Sequence, residues 1–387
     1  MIEVTNSQVD RARPIARVFS PARLTLARHI AGRSKLQLAD AIGKTAAAVT
    51  QFELGQARPS PETLAACAQE LGLPVAFFAA GRPQLAVDTG NAHFRSLRAT
   101  RIYQRQQAIG FVALLWELVE AIEGYVELPP VKLPEPFAEY SSPTAAAQEL
   151  RKTWNINNGP LIHLTRYAEA NGIVISVLPQ TLTSELAAAT PTHISGVGNV
   201  DAFSTSIAQR PLIGLTGAKG GLLRRRFNVA HELGHFLLHS EARPGDQQQE
   251  REAHLFAAEL LMPEESISEE LPARPEPSRL LPLQRRWGVS VSALAYRGRT
   301  IGKYSESQLR RLMITLNQLG WRTNEPEDHR LLSGEEPALL QQAVELALSA
   351  GLTEVSLAEQ LSLPVDLIRV FLGIPEKRPR LRLLKDN

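Results

Sequence analysis

Apolar residues recur at helical spacing along most of the chain, and glycines, prolines and polar caps cut that pattern into short pieces. Leu24, Ala27, Ile30 and Ala31 form one helical stripe, and Lys35 to Ile42 forms a second short helix ended by Gly43. Thr45 caps a third helix, Ala46 to Leu54, which Gly55 ends. Thr63 to Leu71 and Val75 to Phe78 offer two more apolar faces that can cover the first three. Arg101 to Gly124 is a long helical stretch with Ile109, Val112, Leu115, Trp116, Val119 and Ile122 on its apolar positions. The prolines from Leu128 to Pro136 force an extended run, which with Ser141-Ser142-Pro143 marks a boundary. Helices at Ala145 to Trp154 and Leu161 to Asn171 follow. Strand candidates then come at Ile173 to Leu178, Ile194 to Val200, Ala202 to Ile207 and Pro211 to Leu215.

Farther on, Phe227 to His239 is apolar on most sides. A second helix beginning near Glu250 buries Ala253, Phe256, Ala257, Leu260 and Leu261 and is stopped by Pro263. The passage from Pro263 to Pro277 reads as a surface loop, and Leu280 to Leu283, Trp287 to Ser290 and Val291 to Tyr296 open a helical tail. Leu357 to Ile368 echoes the spacing of Leu38 to Val49 without its middle glycine, which suits a packing module. The pattern predicts a mainly α chain with a small α+β part. It divides into an all-α head over 1–83, a helical connector and proline-rich linker over 84–140, a compact α+β domain with a small sheet over 141–277, and a helical region over 278–387.

Composition narrows the class. With 387 residues, 44% hydrophobic and 21% charged, the chain has room for two or three globular domains. A net charge of +2 is too small for a protein coated with nucleic acid, although residues 1–60 hold nine Lys/Arg against four Asp/Glu. No apolar run nears the roughly 18 residues that span a bilayer, and residues 1–20 lack a signal-peptide core. No membrane partner is expected. The single cysteine, Cys67, sits among apolar neighbours and reads as a buried core thiol of a cytoplasmic protein.

Chemistry concentrates in His231-Glu232-Leu233-Gly234-His235. Two imidazoles four residues apart share one helix face and can hold one ion, for which zinc is suited. Glu232, one step round the helix, is placed to take a proton from a water on that ion rather than to bind it. A catalytic zinc needs three protein ligands and an open position, and Glu250, Glu252 and His254 are the candidates for the third. Glu250 and His254 share a face, whereas Glu252 points about 160° away from Glu250.

HELGHFLLH followed by EREAHLFAAELLMP resembles the ImmA/IrrE family of zinc metallopeptidases. The resemblance implies Glu250 as the third ligand beside His231 and His235. His254 stands where the family pattern has Asn, as an outer-shell group or a competing ligand. The words LADAIGKTAAAVTQFELGQARPSPETL resemble the XRE (Cro/repressor-like) helix-turn-helix family. That resemblance implies double-stranded DNA as a partner, with Thr45, Ala46, Ala47, Thr50 and Gln51 facing the major groove and Arg28, Lys35 and Lys44 near the backbone. Lys35 departs from the Gln common at its position, and the alanine-rich reading helix implies modest direct readout. RRWGVSVSALAYR and GWRTNEP match the tail of ImmA/IrrE-type proteins that carry an XRE head.

Together these imply a DNA-binding regulator fused to a zinc-dependent endopeptidase that cleaves a helix-turn-helix repressor, itself or a partner, under stress or prophage control. A homodimer would match paired half-sites. The competing readings are a non-proteolytic transcription factor with a structural or sensing zinc module, and an antitoxin-like binder. Candidates for oxyanion stabilisation are His193, His239, Arg226 and Tyr167, with His239 a satisfied neighbour rather than a ligand. The strand near Leu212 to Thr216 is expected at a sheet edge, where a peptide substrate could add by backbone pairing.

Overall fold

The structure, a computed structural model, describes residues 4–82, 93–94, 102–135, 140–178, 202–205, 210–216, 221–240, 246–321, 325–326 and 333–372. It is mainly α-helical with one small sheet. The first helix, α1 (Asn6–Arg17), was not expected from the apolar pattern. Thr5 and Gln8 close a capping box at its start, and Pro14 within it hides the helical signal. The head continues through α2 (Pro21–Ile30), α3 (Lys35–Ala41), α4 (Ala46–Glu53) and α5 (Pro61–Leu71), then a 3₁₀ turn, Val75–Phe78. Gly43 takes φ +65° between α3 and α4, the left-handed conformation that lets two short helices turn sharply with little strain. Backbone bonds from Ser20 to Phe78 and from Ala80 to Val18 tie the end of the head to its start.

The long helix α6 (Ile102–Glu123) falls in the stretch expected as a helical connector, and its apolar face packs on the head. Phe111, Val112, Leu115, Leu118, Val119 and Ile122 are buried in the same cluster as Leu24, Ile30, Leu64 and Phe77 of the head. Polar anchors fix its register. Gln107 donates to the Ile30 carbonyl at 2.9 Å, and Arg23 meets Glu117 at 2.6 Å with both side chains buried. Burial pushes the Glu117 carboxyl up, and the Arg23 guanidinium pulls it back.

A second cluster gathers α7 (Pro143–Thr153), α8 (Leu164–Ala170), α9 (Gly221–Leu238), α10 (Gln247–Leu261), α12 (Pro277–Trp287), α13 (Val291–Thr300) and α14 (Glu306–Gln318). Between α10 and α12 the expected loop contains a further helix, α11 (Glu264–Glu270). Its start follows Pro263, two glutamates occupy its first turn, and Ile267 anchors it in the core.

The sheet runs β1 (His93–Phe94), β3 (Ala202–Thr205), β4 (Leu212–Thr216), β2 (Val174–Leu178). β2 and β4 are parallel with Val174 opposite Leu212, and β3 pairs with β4 antiparallel with Phe203 opposite Gly214. The edge position expected for Leu212 to Thr216 is therefore corrected. Both sides of β4 are hydrogen-bonded, so its backbone offers no free ladder to a peptide. The alternating strand faces explain the layering: Val174 and Leu212 join the head's cluster, whereas Ile175, Ile213 and Leu215 join the second. The expected strand at Ile194 to Val200 lies outside the described residues.

The C-terminal helices α15 (Leu339–Ser349), α16 (Glu354–Leu361) and α17 (Val365–Leu372) return to the head's cluster through Leu340, Val344, Leu357, Leu361, Ile368 and Phe371. They also cover β2, where Ser176 donates to the Phe371 carbonyl at 3.2 Å. Two glutamates link this region to the second cluster by reciprocal capping. Glu335 accepts from the amides of Leu164 and Thr165 at the start of α8. Glu169, at the other end of α8, accepts from the amides of Ala338 and Leu339 at the start of α15.

Candidate metal centre and nucleic-acid face

The motif residues lie on α9, and α9 packs along α10. Gly234 makes the approach close: a Cβ there would sit 3.0 Å from Phe256 Cδ1 and 3.2 Å from Ala253 Cα. At that separation Glu250, from the first turn of α10, reaches the imidazoles. His231 Nε2 and His235 Nε2 are 3.1 Å apart. Glu250 places its carboxylate oxygens 3.4 Å from His231 Nε2 and 3.8 Å from His235 Nε2. Ligands about 2.0–2.1 Å from a tetrahedral zinc lie about 3.3 Å from one another, so these three donors are spaced for one ion. The donor set, two imidazoles and a carboxylate, suits zinc chemically. His231, Glu232 and His235 are all buried.

His254, one turn beyond Glu250, is exposed. Its Nδ1 bonds the Glu250 carbonyl at 2.7 Å, and its ring stands 4.6 Å from that of His231, nearly perpendicular. Ligand atoms of His231, Glu250 and His254 lie within 4.8 Å of one another. Glu252 points elsewhere. It takes His239 Nε2 at 2.9 Å, and His239 Nδ1 meets His235 Nδ1 at 3.0 Å. If His235 binds an ion through Nε2, proton placement in this chain has one solution. His235 Nδ1 donates to His239 Nδ1, and His239 Nε2 donates to Glu252. Burial holds His239 below the usual imidazole value, opposed by Glu252. Helical spacing puts His239, just past the end of α9, on the face of His231 and His235; its partner Glu252 is not legible from that spacing.

On the head, the residues of the reading helix face outward as a group. Lys44, Thr45, Ala47 and Gln51 are exposed, and Ala46 and Thr50 are partly so. The Thr45 hydroxyl caps α4 by accepting from the Ala48 amide, and the Thr50 hydroxyl donates to the Ala46 carbonyl. Each hydroxyl keeps some hydrogen-bonding capacity, while the Gln51 amide extends from the surface. Arg28 departs from expectation. It is buried, with Nε 2.6 Å and Nη2 3.2 Å from the two Glu53 oxygens and Nη1 on the Arg33 carbonyl. Its guanidinium organises the head's interior instead of facing a phosphate. Lys35 remains partly exposed and approaches the same Glu53 at 3.3 Å.

Family models match two stretches of the chain: a helix-turn-helix domain over residues 27–78, and a peptidase-family IrrE N-terminal-like domain over residues 169–298. The chain joins an XRE-type helix-turn-helix domain to an ImmA/IrrE-type domain. No curated protein matches it.

In the IrrE-like domain two of the expected oxyanion donors are committed elsewhere. Arg226 is buried and pairs with Glu335 and the Leu161 carbonyl, and His239 is held by Glu252 and His235. Tyr167 keeps an exposed side chain on α8, and His193 lies outside the described residues. Among the described residues no helix is long and apolar enough to cross a membrane.

Proposed function

We propose that the chain is a DNA-binding regulator whose IrrE-like domain is a zinc-dependent endopeptidase acting on a helix-turn-helix repressor protein. The observation that carries this reading is the convergence of His231, His235 and Glu250 beside the buried Glu232. His231 and His235 would hold the ion through their Nε2 atoms, and Glu250 would supply the third ligand. Zinc bound there supplies Lewis-acid polarisation of a water and of the peptide carbonyl. Glu232 accepts the proton of the attacking water on its carboxylate and returns it to the leaving amine. His239 and Glu252 orient His235 and fix its tautomer.

The head delivers this chemistry to DNA through Thr45, Ala46, Ala47, Thr50 and Gln51, with Lys35 and Lys44 toward the phosphates. Two heads in a homodimer match paired half-sites in a cytoplasmic regulator. The substrate is a separate repressor or a second copy of the chain. A purely transcriptional role has no need of a general-base carboxylate at 232.

Mass spectrometry tests the reading. Zinc-loaded wild type and Glu232→Ala are each incubated with candidate repressors, with and without DNA. Fragments made by wild type alone are expected. Intact masses throughout, with equal promoter binding by both proteins, would hand the lead to a non-proteolytic transcription factor.

A further inference from the structure

The two packed helices present their ligand atoms as a pair of pairs. On α9, His231 and His235 are four residues apart. On α10, Glu250 and His254 are four apart, and their ligand atoms lie within 4.8 Å of each other and of that of His231. We infer that His254 is a fourth protein ligand of the metal centre, seated on the ion through Nε2 in the resting protein and withdrawn when substrate enters. This rests on the reading of His231, His235 and Glu250 as a metal site.

Three observations carry it. A carbonyl has no proton to give, so the 2.7 Å contact with the Glu250 carbonyl requires the proton to be on His254 Nδ1. In the neutral ring Nε2 then carries the lone pair, the atom a metal needs. His254 also belongs to the group whose ligand atoms lie within 4.8 Å of one another, and its ring is edge-on to His231 at 4.6 Å. To join a tetrahedral set with His235 as well, its Nε2 must come to about 3.3 Å from its neighbours, by a side-chain rotation that exchanges the Glu250 carbonyl contact for the ion and leaves the proton on Nδ1. Lastly, His231 and His235 are buried whereas His254 is exposed. It stands on the solvent side, where a substrate must approach and where a ligand can leave without disturbing the core.

Ligand count gives the consequence. Four protein ligands make a closed site of the structural kind, and three leave the position that hydrolysis requires. His254 therefore makes the centre latent. With His254 in place the four side chains would hold and shield an ion at rest, and His254 would leave when a peptide enters.

Cobalt(II) substitution of the full chain reads this without any substrate. Wild type, His254→Asn and His254→Gln are compared by visible absorption, by metal affinity in chelator competition, and by titration with acetohydroxamate. Wild type should show intense four-coordinate bands that resist hydroxamate. Both variants should show altered bands, bind cobalt about tenfold or more weakly, and respond to hydroxamate at about tenfold lower concentration or less. Circular dichroism checks that each variant is folded, which the exposed position favours. Identical spectra, affinities and hydroxamate responses in all three proteins would overturn the fourth ligand and leave the three-residue centre standing. Failure of wild type to bind cobalt would overturn the metal-site reading as well.

Discussion

Gly234 lies between His231 and His235, and its missing Cβ sets how near α10 can come. Alanine there would press on Phe256 and Ala253 at 3.0–3.2 Å, and neither the ring nor the backbone can retreat within a packed core. Gly234→Ala is expected to destabilise the chain by about 1–3 kcal/mol in urea unfolding. It should also weaken zinc binding, because Glu250 moves away with α10. The outer chain makes a separate prediction. His239→Ala leaves His231, His235 and Glu250 in place but removes the acceptor of His235 Nδ1. Zinc affinity measured by chelator competition should fall about 10–100-fold, and unchanged affinity would remove His239 from the site. Much of the candidate centre was legible from the chain itself, because four-residue spacing on a helix is a local property. Glu250 came from resemblance, and the structure shows why spacing alone left it open: Glu252 is equally close in sequence and faces His239. Arg28 and Arg226 could not be placed from sequence. Their inward turns depend on Glu53 and Glu335, which come to them only through tertiary packing.

At the scale of elements, α6 shows how a buried ion pair can fix register. Arg23 and Glu117 are both buried, so removing Arg23 leaves the Glu117 carboxylate, among the described residues, only the more distant Arg82, 3.9 Å away. Arg23→Met is expected to cost about 3–5 kcal/mol in equilibrium unfolding. The double variant Arg23→Met/Glu117→Leu should regain most of that loss, since well-packed apolar replacements need no charge partner. If both variants lose stability equally, the pair is not what Glu117 relies on. The apolar stripe of α6 predicts packing against another helix, in this chain or a second copy, because such a stripe reveals a buried face without saying what covers it. The same limit applied to β4. Its sequence reads as a strand in any position, and only pairing with both β2 and β3 makes it internal.

Across the whole molecule, the C-terminal region connects the two cores. Its helices complete the head's cluster, while Glu335 and Glu169 tie its beginning to α8 and, through Arg226, to the metal-motif helix. Burial pushes Glu169 up to about 7, although the amides of Leu339 and Ala338 pull the other way. The folded chain therefore holds this proton more tightly than the unfolded chain, whose carboxyl stays near 4.5. The group's contribution is full below the unfolded value and is lost as pH rises through about 7. The stability of wild type relative to Glu169→Gln should thus decline between pH 5 and pH 8 in denaturant titrations, and a rise over that interval would contradict the assignment.

In the proposed centre three side chains from two helices share one ion. Its most direct test is the zinc content of purified full-length chain after exhaustive dialysis, with wild type compared against His231→Ala, His235→Ala and Glu250→Gln. The prediction is one zinc per chain for wild type and loss of tight zinc in each variant, with the fold retained by circular dichroism. Equal zinc content in all four proteins, or none in wild type after zinc loading, would contradict it.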